Sequence, residues 1–118
     1  MFNAKEFGAA GEDIAAKFLE EKGFSILDRN YRLGRLGEID IIARSGELVA
    51  FVEVKRRSSA VYGGPLYSIS PTKKRRLRRI AEGYLASRPG LNRSGILFRF
   101  DLLSIENGSI QWVQDILR

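Results

Sequence analysis

The chain has 118 residues, a length that fits one globular domain with a single core. It contains no cysteine and no histidine, which excludes disulfides, thiolate-bound zinc, iron–sulfur clusters and catalysis by thiol or imidazole groups. Lys and Arg number 20 against 14 Asp and Glu, and the excess of +6 equals the six basic residues of the stretch Lys73–Arg79.

The first predicted element is a helix. Asn3 and Glu6 fit a capping box, an apolar stripe follows at helical spacing, and Gly23 comes directly after the last turn. The pattern predicts a helix over residues 3–22. Residues 24–32 then alternate between apolar and polar side chains, which predicts a strand.

The middle of the chain predicts a β-hairpin. Strands are expected over residues 38–44 and 48–55, joined through Ser45-Gly46. Residues 56–69 are predicted to form a loop, because Gly63-Gly64-Pro65 interrupts any regular element there.

The C-terminal part predicts a second helix and two more strands. Ser70 is expected to cap a helix that begins at Pro71 and ends near Ser87, with a buried stripe of Leu77, Ile80, Ala81, Tyr84 and Leu85. Strands follow over residues 96–105 and 110–116 around an Asn107-Gly108 turn. We therefore expect one α/β domain over residues 1–118, with a mixed sheet of about five strands flanked by helices. The pairing direction of the last strands stays open.

The hairpin carries the candidate site. With Ser45 and Gly46 as the loop, Arg44 pairs with Glu47, and Asp40 lies opposite Phe51. Side chains two apart on a strand share a face, so one face is expected to present Glu38, Asp40, Glu53 and Lys55. The opposite face is then fully apolar, with Ile39, Ile41, Ala43, Leu48, Ala50, Val52 and Val54.

This arrangement points to a divalent cation. Asp40 and Glu53 would repel each other as diagonal neighbours, and a shared metal ion removes that repulsion. Without histidine or cysteine, the ligands are oxygen atoms, which favours Mg²⁺, Mn²⁺ or Ca²⁺. The ammonium of Lys55 is placed to hold or deprotonate a water beside the ion. The alternative is a surface strand with an ordinary Glu–Lys ion pair.

Glu12 is a candidate for a third carboxylate. It lies at the edge of the first helix's apolar stripe, with no basic residue at helical spacing, whereas Asp13 is expected to pair with Lys17. Gly8 and Gly11 inside the helix indicate close approach of the sheet or of a substrate. Glu12 is either part of the site or one exposed residue of an ordinary helix, and the sequence leaves both readings open.

The basic stretch Lys73–Arg79 is the electrostatic pattern of a protein that binds a phosphate backbone. A solvated helix face, an acidic membrane surface and an acidic protein partner are the other interpretations. No apolar run approaches the ~20 residues of a membrane span, and the N-terminus lacks the pattern of a secretory signal. We therefore expect a cytoplasmic protein with no membrane partner.

The ordered set of Asp40 followed by Glu53-Val54-Lys55 resembles the D…(D/E)-x-K signature of the PD-(D/E)XK, or restriction-endonuclease-like, nucleases. With Glu12 on the preceding helix, the order is also similar to that of archaeal Holliday-junction resolvases. More closely, the chain resembles the YraN-type family of small bacterial proteins, in Gly37–Asp40, Phe51–Arg57, Gly63–Pro65 and the basic stretch. In this chain Ile39 stands where the signature has proline.

The resemblance implies a restriction-endonuclease-like fold and a Mg²⁺- or Mn²⁺-dependent endonuclease that hydrolyses phosphodiester bonds. It implies metal ligands at Asp40, Glu53, Glu12 and the Val54 carbonyl, with Lys55 orienting the attacking water. The expected partner is nucleic acid, DNA first, with structure-selective binding of branched or nicked forms. The backbone contacts would come from Arg56, Arg57, Lys73, Lys74, Arg75, Arg76, Arg78 and Arg79.

Two further alternatives stay open. The same fold also occurs as a nucleic-acid-binding module without catalysis, and an adaptor for an acidic protein would carry the same basic stretch. A homodimer is also open: Phe98, Phe100, Leu102 and Trp112 would line its interface, although core or edge-strand packing is the more common role of such residues.

Overall fold

The computed structural model describes residues 4–57 and 69–117, with the side chains of residues 4–9 and 57 excepted. Within these residues two helices and five strands follow one another in the predicted order. They are α1 (Ala4–Glu21), β1 (Ser25–Arg32), β2 (Glu38–Ser45), β3 (Leu48–Arg57), α2 (Pro71–Ser87), β4 (Leu97–Glu106) and β5 (Ser109–Val113).

The five strands form one mixed sheet in the order β1-β2-β3-β4-β5. The β1–β2, β2–β3 and β4–β5 pairs are antiparallel, while β3 and β4 are parallel and are connected through α2. This confirms the predicted α/β fold and resolves the direction of the later strands. A parallel pair requires a crossover connection, and here that crossover carries the basic helix back across the sheet.

Each face of the sheet packs against one helix. The α2-side core contains buried residues of the sheet and of α2, among them Ile42, Val49, Phe51, Ile80, Tyr84 and Leu102. The α1-side core contains Ala15, Leu19, Ile41, Ala43, Ala50 and Val52. Burial of one such large aliphatic or aromatic side chain contributes about 1.5–3 kcal/mol, so these two layers are the main source of stability.

The start of α2 follows the prediction closely. Pro71 lies in its first turn, and the Ser70 hydroxyl accepts a hydrogen bond from the Lys73 backbone N–H over 3.1 Å. Ile80, Ala81 and Tyr84 are buried, and Leu77 and Leu85 pack half-buried against the same core. The cap therefore fixes where the basic stretch begins relative to the sheet.

The hairpin register differs from the prediction by two residues. Ser45 pairs with Leu48 and Ile41 pairs with Val52, so the loop is Gly46-Glu47 rather than Ser45-Gly46. Gly46 has a φ of +60°, which only glycine adopts readily, so the turn is placed one residue later than expected. A shift of two preserves which side chains share a face, and the apolar residues of the hairpin follow the predicted faces apart from Ile39.

One apolar residue lies on the other face from the one expected. Ile39 packs in the α2-side core, whereas Ile41 packs in the α1-side core. The neighbouring strand β1 shows the reason, because Asn30 takes a left-handed φ of +54° and turns Tyr31 to the side opposite Arg29. Tyr31 pairs with Ile39, which follows it to the α2 side.

The ends of several elements also differ. Strand β3 extends to Arg57, so the loop expected from residue 56 begins later. Two predicted features lie outside the described residues, namely Gly63–Pro65 and the side chains of the Asn3–Glu6 capping box. Strand β5 ends at Val113 instead of residue 116. The chain turns away there because Asp115 has a φ of +61° and the Ile116 N–H donates to the Phe100 carbonyl.

Three of the four residues considered for a dimer interface pack within the chain. Phe100 and Leu102 are buried in the α2-side core, and Trp112 makes edge contacts with Phe18 and Phe24. Phe98 remains partly exposed. In the part of the chain described above, no helix has both the length and the apolar character needed to cross a membrane.

Candidate active site

A cleft of about 360 Å³ opens where β2 and β3 begin to separate, below the N-terminal half of α2. Asp40 and Glu53 line it from the sheet, Lys73 and Arg76 line it from α2, and Arg35 lies at its rim. The structure therefore brings the two predicted carboxylates into one cavity, and it places part of the basic stretch beside them.

Asp40 lies one position beyond the last regular pair of the hairpin, Ile41 and Val52. The Val54 backbone N–H donates a hydrogen bond of 2.8 Å to Asp40 Oδ2. Phe51 pairs with Ile42, so Asp40 does not lie opposite Phe51 as predicted, and the regular ladder ends before Asp40. The Asp40 carboxylate thus accepts a backbone hydrogen bond at the point where β2 and β3 separate.

The electrostatic surroundings of Asp40 are unfavourable for its charge. Burial raises the pKa of the Asp40 carboxyl above its ordinary value, and the hydrogen bond from Val54 opposes that rise. The negative charges of Glu12, Glu53 and Glu38 raise the pKa further. Asp40 is therefore within the electrostatic reach of three other carboxylates.

The three acidic neighbours of Asp40 each have a basic partner, whereas Asp40 has none among the side chains that the structure describes. Within residues 10–56 and 69–117, no lysine or arginine forms an ion pair with Asp40. The partners of the others are Arg29 for Glu12 at 3.6 Å, Arg32 for Glu38 at 3.3 Å, and Lys55 for Glu53 at 3.4 Å. Asp40 thus differs from Glu53 in the same cleft, which pairs with Lys55.

The available donors suit a hard cation that keeps part of its water shell. Two carboxylates and the Val54 carbonyl offer oxygen ligands, and Mg²⁺ commonly takes only one or two protein carboxylates. Among the side chains that the structure describes, no three acidic groups lie close enough together to hold one ion directly. Glu12 therefore influences Asp40 through its charge and does not complete a preformed three-carboxylate cage.

Two lysines approach the same oxygen of Glu53. Lys55 Nζ is 3.4 Å from Glu53 Oε1, as expected for residues two apart on one strand face. Lys73 Nζ, from the first turn of α2, is 3.9 Å from the same atom and lines the cleft. The sequence predicted Lys73 as a backbone contact only, because spacing within one element does not show which residues of another element it meets.

The position of Glu12 depends on a residue that sequence reasoning missed. Arg29, on the edge strand β1, contacts both Glu12 at 3.6 Å and Asp13 at 2.8 Å. The expected Asp13–Lys17 pair is replaced by this contact between elements. Gly11 explains the close approach of α1, because a Cβ there would lie 3.3 Å from the Arg56 side chain.

The basic residues of α2 have different surroundings. Lys73 and Arg76 face the cleft. Arg75 donates to the Thr72 hydroxyl over 3.3 Å and remains exposed. Arg78 donates to the Leu117 carbonyl over 3.0 Å, so it also holds the C-terminal turn against the helix.

The remaining predicted nucleic-acid contacts lie around this helix and at the end of β3. Arg56 and Arg79 are exposed and Lys74 is half-buried, while the side chain of Arg57 lies outside the described residues. Exposed cations therefore lie both beside the carboxylates, as Lys55 and Arg76 do, and on the part of α2 that does not line the cleft, as Arg75 and Arg79 do. That distribution suits an elongated anionic partner.

The chain is similar to proteins grouped under one description. A family model described as "Uncharacterised protein family UPF0102" matches residues 11–105. A protein of Chlorobaculum parvum named UPF0102 protein is 48% identical over 103 residues, which cover 87% of this chain and 77% of that protein. A UPF0102 protein of Shewanella sediminis is 42% identical over 108 residues, or 92% of this chain and 88% of that protein.

Proposed function

The chain belongs to the uncharacterised protein family UPF0102, and we propose that it is a metal-dependent endonuclease that hydrolyses phosphodiester bonds in DNA. The observation that carries the proposal is the Asp40 carboxylate, which pairs with no basic side chain that the structure describes and which shares with Glu53 a cleft lined by Lys73 and Arg76. Acidic groups that repel one another beside a basic surface are the arrangement expected where a divalent cation meets a phosphate.

The metal would be Mg²⁺ or Mn²⁺. Asp40 and Glu53 would hold it, with the Val54 carbonyl as a further oxygen ligand and Glu12 adding negative charge from α1. The bound ion supplies charge neutralisation on the phosphate and lowers the pKa of a coordinated water. The Val54 N–H keeps the Asp40 carboxylate in position for this role.

The two lysines have separate tasks in this proposal. Lys55, held 3.4 Å from Glu53, orients the attacking water through its ammonium donors. Lys73 contacts a phosphate oxygen from the α2 side, because its ammonium faces the cleft. The Ser70 cap on the Lys73 N–H fixes the first turn of the helix that carries it.

The outer face of α2 holds the flanking backbone. Exposed arginines such as Arg75 and Arg79 contact phosphates, together with Arg56 at the end of β3. Contacts of this type position a nucleic acid but do not read its bases. We therefore propose selection by the shape of the DNA, as in branched or nicked forms, and no sequence preference.

Cleavage assays with Mg²⁺ or Mn²⁺ test the proposal on linear, nicked and four-way DNA. The wild-type protein is compared with Asp40→Asn, which keeps an acceptor for the Val54 N–H but removes the charge. Glu20→Gln, an exposed position on α1, is the matched control. We expect cleavage by the wild type and by Glu20→Gln, and a loss of at least about a hundredfold in Asp40→Asn.

Equal residual nicking by the wild type and Asp40→Asn would remove the nuclease proposal. A catalytically silent nucleic-acid-binding module would then account for the basic helix, provided that DNA binding falls steeply with salt. Negligible DNA binding at physiological salt would instead favour an adaptor for an acidic protein.

A further inference from the structure

The cleft has an apolar half that phosphodiester hydrolysis does not require. Next to Asp40, Glu53 and Lys73, its wall is formed by Leu36, Ile39, Leu77, Ile80 and Phe100. Its volume of about 360 Å³ is within the range of about 300–1,000 Å³ typical of small-ligand sites. A site for a phosphate and a metal alone needs no such apolar compartment.

The apolar half is accessible from the cleft. Leu36 and Leu77 are only half-buried although both pack against the α2-side core, so part of each side chain faces the cavity. Apolar surface beside charged groups marks a place where a ligand covers it. A ligand that fills the cleft would accordingly be apolar at one end and anionic at the other.

The spacing along α2 indicates how close these two ends are. Lys73 and Leu77 are four residues apart, as are Arg76 and Ile80, and residues four apart lie on one helix face about 6 Å from each other. Lys73 and Leu77 present a cation and a half-buried apolar side chain in succession along the cleft, and Ile80 lies buried behind them. A nucleotide has this construction, with a phosphate and a base joined through one sugar.

We propose that the apolar half of the cleft binds the base of an unpaired nucleotide next to the scissile phosphate. Among the DNA forms that the proposed nuclease would cleave, the preferred ones are therefore those with unpaired nucleotides, such as flaps, gaps and single strands. A base inside a duplex is paired and stacked, and it reaches such a cavity only after being extruded. The inference rests on the proposed function, since the phosphate of the same nucleotide occupies the charged half.

The first test changes the wall without adding charge. Leu77→Gln makes it polar at similar volume and with good helix propensity, and Leu85→Gln is the control, because Leu85 packs against the same core but does not line the cleft. We expect Leu77→Gln to lower kcat/KM on single-stranded and flap DNA by about tenfold, as loss of one base contact does. Equal effects of the two variants, or cleavage of duplex as fast as flap by the wild type, would overturn the inference.

The second test needs no cleavage. DNA carrying 2-aminopurine at an unpaired position, or at the same position paired, is titrated with the metal-free Asp40→Asn protein. We expect the emission of the unpaired probe to change on binding, the paired probe to change little, and Leu77→Gln to suppress the response in the Asp40→Asn background. An identical response with and without Leu77→Gln would refute base binding.

The two tests separate the two proposals. Absence of cleavage on every substrate, together with a Leu77-dependent probe response, would remove the nuclease function and keep the base site. Cleavage that depends on Asp40 but not on base pairing or Leu77 would keep the nuclease and remove the base site.

Discussion

The Val54 backbone N–H donates a 2.8 Å hydrogen bond to Asp40 Oδ2, just beyond the last pair of the β2–β3 ladder. This bond stabilises the ionised carboxylate, while burial and the neighbouring charges of Glu12, Glu53 and Glu38 destabilise it. The pKa of Asp40 is raised, so burial and the neighbouring charges together outweigh the hydrogen bond from Val54. A group held in place but electrostatically unsatisfied is suited to bind a cation.

The first prediction concerns pH in the absence of metal. The unfolded Asp40 carboxyl titrates near 3.8 and its folded pKa is higher, so between these values the folded state binds more protons. Stability conferred by this position is therefore present at low pH and is lost as pH rises through that window. We expect Asp40→Asn to gain stability relative to wild type as pH rises above the range in which the unfolded carboxyl titrates, as measured by urea unfolding in a chelator. A difference between the two proteins that does not vary with pH would contradict this.

The second prediction concerns metal binding. Mn²⁺ at a hundredfold excess over its Kd is expected to stabilise the wild type by about 2.7 kcal/mol, or roughly 10 °C in Tm for a domain of this size. Asp40→Asn is expected to lose this shift, because the remaining carboxylate is already paired with Lys55. Thermal unfolding with and without Mn²⁺ measures this rise in Tm, and Glu20→Gln serves as the control. If Asp40→Asn showed the same rise in Tm as the wild type, Mn²⁺ would bind at another site.

The sequence predicted the face of the site correctly and its register incorrectly, for one physical reason. Alternation of apolar and polar side chains fixes which residues of the two strands share a face. It cannot distinguish two registers that differ by a shift of two residues. The expected and observed registers differ by two, so both place Asp40 and Glu53 on one face. Only the residues of the turn distinguish the two registers. Gly46, which has a positive φ, lies in the first position of the turn and not in the second, where it was predicted.

Contacts between elements were not predictable in the same way. Arg29 pairs with Glu12 across two elements, and Lys73 approaches Glu53 because α2 crosses over the sheet. Spacing rules describe neighbours within one helix or one hairpin. They do not give the angle at which α2 packs, and that angle determines that Lys73 and Arg76, rather than Arg75 and Arg79, face the cleft.

The third prediction separates the two lysines. Lys55→Met is expected to lower kcat by about 10²-fold or more, as loss of a group that assists proton transfer does, with little change in KM. Lys73→Met is expected to raise KM for DNA more than it lowers kcat, because this lysine contacts phosphate. Single-turnover kinetics under Mn²⁺ measure both, with Lys17→Met on α1 as the exposed control. A larger loss of kcat in Lys73→Met and a larger rise of KM in Lys55→Met would mean that Lys73 orients the water and Lys55 contacts the phosphate.

The fourth prediction concerns the outer face of α2. Arg75→Ala and Arg79→Ala are each expected to weaken DNA binding and to reduce the slope of log K against log [salt] by about 0.9 for each phosphate that the variant no longer neutralises. Arg93→Ala is the matched control, since Arg93 pairs with Glu47 at the hairpin turn, the far end of β2 and β3. An equal effect of Arg93→Ala would mean that net charge, and not the α2 face, determines affinity.

The last prediction concerns Asp101, a buried acid that borders the cleft and is held by hydrogen bonds of its own. Asp101 on β4 is fully buried, and its carboxylate accepts hydrogen bonds from the Arg99 guanidinium, the Trp112 indole N–H and the Asp115 backbone N–H. These bonds attach β5 and the following turn to the sheet. Asp101→Ala leaves the buried donors unsatisfied, so we expect the free energy of unfolding to fall by about 3 kcal/mol or more.

Urea unfolding measures this decrease, and Glu20→Ala on the exposed face of α1 is expected to change stability by less than about 0.5 kcal/mol. The metal-dependent rise in Tm is expected to persist in Asp101→Ala, because the Asp40–Val54 contact does not involve β5. Loss of the metal effect together with stability would show that the cleft depends on the C-terminal turn, where the Ile116 N–H bonds to the Phe100 carbonyl. A persistent metal effect would separate the structural carboxylate, Asp101, from the functional one, Asp40.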